Sequence, residues 1–386
     1  LHQLLVFYGD RRAARLAARK KFIASRLGDL SLLGAMVLLY NLFGSLDFTT
    51  MFAAADTLSE TGEVPAGFHA VAVLLVVGAM MKSAQFPFHG WLTEVMETPT
   101  PVSALLHAGI INGGGFLILR LSDIVSLSVP ALQMLAVVGG FTALFASVVM
   151  LTQTSIKVSL AWSTIAQMGF MMLQCGLGAF SAAALHIVAH SLYKAHAFLA
   201  SGSSVDGFRA PVLRFKGGAP EPWHWLVAFQ GAILLALVAG LAFGVDPTHQ
   251  PALIVTGAIV AIATAQLLLQ ALVLEDNARL LIRATGIGAF VCFAYFGLHA
   301  AFEHALIGSV RPVEATGGAF ALWLSLAIVA VFIGLITLQH LFTRLHAPLR
   351  QAIQVHLYNG LYVDVLVTRL IVRLWPIRQS PATAAA

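Results

Sequence analysis

Polar positions are sparse along this chain. Between them, apolar windows of about 20 residues, the length a helix needs to cross a bilayer, recur near 22–44, 66–96, 102–121, 130–152, 155–177, 181–205, 223–245, 252–274, 284–302 and 318–341. The pattern predicts an all-α fold, a polytopic transmembrane helix bundle of about ten full spans. Residues 352–376 are also apolar but carry Asp364, Arg369 and Arg373, which suits an amphipathic helix on a membrane surface or partner better than an eleventh crossing. Residues 1–8 read as the tail of a truncated transmembrane helix, 9–21 as a basic cytoplasmic loop, 22–342 as the membrane domain and 377–386 as a disordered tail.

Composition agrees with the pattern and removes the alternatives. With 59% hydrophobic residues, 10% charged and a mean hydropathy of +0.87, the chain cannot be a water-soluble globule, whose charged fraction is about a quarter. Alternating ten spans puts fifteen Lys and Arg residues, from Arg11 to Arg350, on one side and only Arg120 and Arg311 on the other. By the positive-inside rule the basic side of this multi-pass chain is cytoplasmic. The acidic loop with Asp47, Asp56, Glu60 and Glu63 then faces outward. Basic charge dispersed over many loops does not make a nucleic-acid surface. Cys175 and Cys292 are isolated in apolar spans, so the chain has no disulfide framework and no metal-ligand spacing, and metal chemistry would have to come from a partner. Its Gly-x-Gly pairs lack the third glycine of a dinucleotide fingerprint, and no P-loop occurs.

Three interruptions of the apolar pattern carry the candidate chemistry. His186, His190 and Lys194 recur every fourth residue, which keeps them on one helix face with a drift of about 40° per step over about 12 Å. A charged Lys at bilayer depth costs roughly 2.5–3.5 kcal/mol, so three such residues in register point to an ion or proton pathway rather than to polar packing. Lys82 is followed by Pro87, which lacks the N–H for the Ser83 carbonyl; the helix should break beside the lysine, and broken helices at membrane depth mark ion sites in transporters. A further break follows at Thr98-Pro99-Thr100-Pro101, with His107 beyond it and then Asn112-Gly113-Gly114-Gly115. A lone His107 suits a core hydrogen bond as well as a relay, and the glycines suit close helix packing.

These motifs, Lys82-Ser83-Ala84-Gln85-Phe86-Pro87, Trp91-Leu92, Thr98 to Ala108, Lys157 to Thr164 with Gln167 to Phe170, His186 to Lys194 with Phe198-Leu199, and Ser25 to Asp29, resemble the signature of the antiporter-like subunits of respiratory complex I and of Mrp sodium/proton antiporters. The resemblance covers roughly residues 1–205, with an echo at Asn359 to Asp364. Within the family the chain is most like the NuoL-like branch, and its basic segment before residue 22 and short C-terminal end resemble the membrane subunits of bacterial inorganic-carbon accumulation complexes. The resemblance implies that Lys82 is a protonation site, that His107, Lys157, His186, His190 and Lys194 continue a hydrated relay, and that Arg26 and Asp29 form an entry-side pair. It also implies that the glutamate pairing with Lys82 lies upstream of Leu1. By spacing alone Arg26 and Asp29 make an ordinary interfacial ion pair worth a few tenths of a kcal/mol.

One departure from the family bears on function. A second broken helix should carry a release lysine, yet Trp223 to Val245 has no charged residue and no proline; Asp246, His249 and the basic loop from Arg209 to Lys216 are the available substitutes. A chain with entry and relay but without the usual exit suits a subunit that hands its proton to a partner. The favoured expectation is a proton- or cation-conducting subunit, not itself an enzyme, with neither cofactor nor metal of its own. It would energise carbon dioxide and bicarbonate uptake by a large peripheral zinc-binding, carbonic-anhydrase-like subunit. The alternatives are a proton-pumping subunit of a complex I-like dehydrogenase or Mrp-type antiporter, and a structural anchor.

Overall fold

The computed structural model describes residues 2–94, 98–203, 220–245, 252–274, 278–311, 318–342 and 345–376. The expected tail 377–386, together with Asp246, His249 and Arg209 to Lys216, lies outside the described residues. Among the described residues there is no strand. After a helical turn at His2–Leu5 come α1 (Arg12–Phe43), α2 (Phe48–Thr61), α3 (Phe68–Lys82), α4 (Gly90–Thr93), α5 (Thr100–Ala108), α6 (Gly113–Arg120), α7 (Val129–Thr152), α8 (Ile156–Gly176), α9 (Phe180–Leu199), α10 (Pro222–Ala242), α11 (Ala252–Val273), α12 (Ala278–Ala305), α13 (Gly318–Phe342), α14 (Ala347–Tyr358) and α15 (Val363–Leu374).

Every apolar window contains a helix. Among the described residues seven spans, α1, Thr100–Arg120, α7, α8, α10, Leu253–Val273 and α12, are long and apolar enough to cross a membrane; Phe68–Lys82 and Leu322–Leu338 are apolar but shorter. The all-α membrane bundle is therefore present, with a break at Lys82 as the sequence predicts.

Four boundaries differ from the sequence reading. Residues 12–21 are not a loop but the first turns of α1. Alanine, arginine, leucine and lysine are strong helix formers, and Ala14, Ala17, Ala18, Lys20 and Lys21 are all buried. The acidic loop expected to face outward contains α2, capped by Asp47, which accepts the Thr50 N–H at 3.1 Å. The expected span 102–121 is interrupted by a 3-10 turn at Ile110–Asn112. The expected single helix 352–376 is two helices bent by 56°. Gly360, Leu361 and Tyr362 at this bend take φ of 55°, 52° and 61°, and a run of left-handed residues cannot propagate a right-handed helix.

The chain forms two compact units. The first comprises residues 1–176, 186–204 and 335–386. Its helices approach closely through glycine, since helices in lipid gain little from apolar burial against each other and pack where side chains are small. A Cβ on Gly169 would stand 2.5 Å from Ala143 N, and one on Gly176 2.3 Å from Ala136 N, so α7 and α8 meet backbone to backbone. A Cβ on Gly114 would stand 2.1 Å from Ala79 O, which seats the interrupted span against α3. The second unit, residues 177–185 and 205–334, is built on α10, α11 and α12 around Ala228, Ala232, Ala265, Leu268 and Ala284.

Candidate functional site

All the candidate residues lie in the first unit. α3 ends on Lys82; Ala84 follows at φ 49°, a conformation that costs an L-residue about 1–3 kcal/mol, and the Phe86–Pro87 bond is cis. Lys82 hydrogen-bonds Asp29 of α1, and Asp29 also takes Arg26 at 2.6 Å. The expected entry pair supplies two members of a three-charge cluster in which this chain's own aspartate is the acid beside Lys82; the sequence reading placed the lysine's acid partner upstream.

A second group forms where α9 meets α5 and α8. Lys194 is fully buried and donates to Ser163 Oγ at 2.7 Å and to the Leu160 carbonyl at 3.2 Å. His190 Nε2 donates to the His107 carbonyl at 3.2 Å, and the His186 and His190 ring centroids are 5.9 Å apart. His186 Nδ1 donates to Gln174 Oε1 at 2.8 Å. The His107 ring stacks on Phe198 at 4.4 Å, and neither of its buried nitrogens has a hydrogen-bond partner among the described residues. His107, His186, His190 and Lys194 therefore share one buried locus. Lys157 is not part of it: its ammonium donates to Thr100 Oγ1 at 2.7 Å.

Between the two clusters runs a line of small polar groups. Ser83 Oγ, one residue beyond Lys82, donates to the Ile111 carbonyl at 2.7 Å and accepts the Gly114 N–H at 3.2 Å. Asn112, in the interrupted span, donates to Ser191 Oγ at 2.9 Å, and Ser191 precedes Lys194 by three residues. The two helix breaks face each other, and the backbone they free is met by these side chains. Sequence reasoning gave no site role to Ser83, Asn112, Ser163, Gln174 and Ser191; only Ser83, beside Lys82, and Ser191, beside His190, lie within a turn of a titratable candidate and so carried a local signal.

The sequence also gave no indication of a third cluster. Lys20, whose side chain is only 3% exposed, pairs with Glu94 at 2.6 Å and with Asp364 of α15 at 2.7 Å. Its neighbour Lys21 donates to Ser25 Oγ at 2.7 Å and lies 4.4 Å over the Trp91 ring. His89, in the break itself, is 1% exposed and stacks on Phe86 at 5.8 Å.

In the second unit, α10 is one continuous helix over the window where a broken helix with a lysine was sought. Among the described residues no group of three or more His, Cys, Asp or Glu side chains could hold a metal ion.

Residues 1–210 match the model of the NADH:quinone oxidoreductase/Mrp antiporter transmembrane family. The chain is 43% identical over 381 residues to the probable inorganic carbon transporter subunit DabB2 of Halothiobacillus neapolitanus, covering 97% of this chain and 68% of that one. It is 37% identical over 388 residues to the probable inorganic carbon transporter subunit DabB of Hydrogenovibrio crunogenus, covering 98% and 70%. NAD(P)H-quinone oxidoreductase chain 5 of Synechocystis is 40% identical over 211 residues, 54% of this chain and 31% of that one. Among solved structures, the Mrp complex from Dietzia shares the fold, with a TM-score of 0.52, 22% identity and coverage of 100% of this chain and 46% of that one.

Proposed function

The chain belongs to the NADH:quinone oxidoreductase/Mrp antiporter transmembrane family, and from that premise we propose that it is the proton- or cation-conducting membrane subunit of an inorganic-carbon uptake system. One observation carries the choice within the family. Two carbon-transporter subunits align with 97% and 98% of this chain and a third with 58%, whereas the Synechocystis quinone-oxidoreductase subunit aligns with 54%. Likeness to two carbon-transporter subunits thus runs nearly the length of this chain, and likeness to the quinone-oxidoreductase subunit covers 54% of it.

In this reading a proton enters beside Asp29 and Lys82, moves by way of the polar groups at the two helix breaks, and reaches His107, His190, Lys194 and His186. Histidine exchanges protons near neutral pH, and side chains within hydrogen-bond reach, or one water apart, are the elements of a proton wire. Lys157, held by Thr100, stands off this line. The chemistry on carbon dioxide belongs to a large peripheral zinc-binding, carbonic-anhydrase-like (DabA-like) partner, and the chain itself is not the catalyst. Localisation in a bacterial inner membrane rests on the likeness to bacterial carbon-transporter subunits, and the cytoplasmic side of the basic end of α1 on the Lys and Arg asymmetry.

Gentle solubilisation from native membranes, identification of co-purifying proteins and assay of zinc test the proposal. One large soluble zinc protein at stoichiometric yield is the expected result. A set of quinone-reductase or multi-antiporter subunits overturns it in favour of redox or sodium pumping.

A further inference from the structure

The second unit lacks a lysine where the family pattern leads one to look for it, yet it contains a buried ionisable group elsewhere. The inward stripe of α12 is Ala284, Gly288, Cys292, Phe296 and His299. Its first four members are close-packed against α10 and α11. A Cβ on Gly288 would stand 2.8 Å from Thr264 Cγ2, Cys292 Sγ is 3.6 Å from Thr264 Oγ1, and the Phe296 ring lies 3.7 Å from the Cβ positions of Gly240 and Gly257. His299 ends the stripe. It is 4% exposed, and neither ring nitrogen has a hydrogen-bond partner among the described residues. One turn on, where the helix emerges, Glu303 places Oε2 3.9 Å from His299 Nε2 with its own side chain 51% exposed. Arg279 and Arg283 occupy the opposite end of α12, about 30 Å away by helical rise.

Buried polar groups in folded proteins are nearly always hydrogen-bonded, and an ionisable residue within a transmembrane helix is by default a functional group. A histidine sealed at the end of an apolar seam, with a solvent-touching carboxylate one turn beyond, has the form of a proton-exchange site with its own mouth. We propose that His299 and Glu303 make such a site at the end of α12 opposite Arg279 and Arg283, the task for which a lysine was sought in 223–245. The step is a proton transfer. The protonated Glu303 carboxyl gives its proton to a ring nitrogen of neutral His299, leaving carboxylate and imidazolium, and the reverse step returns the proton to Glu303 and thence to solvent. The 3.9 Å separation is closed by a rotamer change of the exposed Glu303 or by one intervening water. This rests on the proton-conduction reading above.

The test uses the full chain reconstituted in phospholipid vesicles, with a trapped pH dye and a potassium diffusion potential to drive protons. His299→Gln should lower proton flux roughly a hundredfold or more, the low end of what a positioned acid–base group contributes, and Glu303→Gln should lower it less. Glu303 is exposed, so its variant keeps the test open if His299→Gln fails to fold. Flux unchanged in both variants, where Lys194→Ala abolishes it, removes this inference and leaves the conduction reading standing. A parent chain without flux removes the conduction reading. Carbethoxylation of the same vesicles by diethyl pyrocarbonate, read by mass spectrometry, then decides His299 by itself. Modification of His299 that Glu303→Gln slows supports exchange through Glu303; a His299 that stays unmodified while exposed His304 reacts overturns it.

Discussion

Gly90 and Asp364, 274 positions apart in sequence, meet so closely that a Cβ on the glycine would stand 1.6 Å from the aspartate Oδ1 and 2.4 Å from its Cγ. Asp364 reaches Lys20 only by passing over that bare backbone. The glycine at the start of α4 is therefore what lets α15 lock onto α1 and the broken helix. Gly90→Ala must push Asp364 off Lys20 or shift α4, and the cost expected of such overpacking is about 1–3 kcal/mol. Fluorescence-detected size exclusion after heating reads it: Gly90→Ala should aggregate at a clearly lower temperature than the parent. Equal thermal profiles would mean that the slot does not hold Asp364 in place.

Lys20 gives a sharper electrostatic test, because it is buried and answers two carboxylates. Removing one partner of a buried pair leaves uncompensated charge and typically costs about 3–5 kcal/mol, while replacing both partners by apolar groups can be nearly neutral. Glu94 and Asp364 are partly exposed, so the lower end applies. Lys20→Met should be strongly destabilising, and Asp364→Leu added to it should restore part of the loss. A double variant whose loss equals the sum of the two single losses would mean that the two side chains do not interact.

These contacts mark the limit of what the sequence discloses. The break at Lys82 was legible because Pro87 announces its missing donor, and the His186, His190 and Lys194 stripe because its period matches one helix face. Neither signal needs knowledge of another segment. The partners of Lys20 are 74 and 344 residues away, and nothing local in a run of arginines and lysines separates a buried lysine from a loop cation. The same holds for Asp29, whose neighbour Arg26 offers a sufficient local explanation while its contact with Lys82 comes from helix packing. His299 and Glu303 were hidden for the opposite reason: the search was for a lysine and a proline in another window, and one histidine near a helix end matches no pattern.

The proposed relay stands or falls on its lysines. Lys194→Ala and Lys82→Ala should each abolish proton-dependent activity while leaving membrane insertion intact, because losing an intramembrane charge lowers rather than raises the cost of insertion. Undiminished bicarbonate accumulation in either variant, at equal membrane abundance, would sink the relay. Ser163→Ala is the graded control. It leaves the Lys194 ammonium with the Leu160 carbonyl and should cost about 1.5–3 kcal/mol, the value of a hydrogen bond to a charged group, seen as reduced rather than absent uptake.

The last prediction concerns the side on which the chain's C-terminal segment lies. α14 and the segment 360–374 together are long and apolar enough to cross a membrane, apart from their 56° bend, so length and composition permit a crossing. The contacts of α15 argue otherwise. Near its start Asp364 binds Lys20, and just past its end the Trp375 carbonyl accepts from Arg19 at 2.6 Å while the Trp375 ring lies 4.7 Å under the Arg19 guanidinium. Eleven residues of helix span about 16 Å, yet these two contacts fall on consecutive residues of α1. A helix running along α1 would meet residues about eleven positions apart, so α15 lies across α1 at the level of its basic end, as an amphipathic helix in the membrane surface does. A reporter fused after residue 378 should therefore read the same side as one fused before Arg12. Arg373→Glu, on the exposed side of α15, should weaken surface docking or co-purification of the zinc partner more than proton flux. A reporter on the opposite side from Arg12 would make α14 and α15 a bent crossing and remove the docking role.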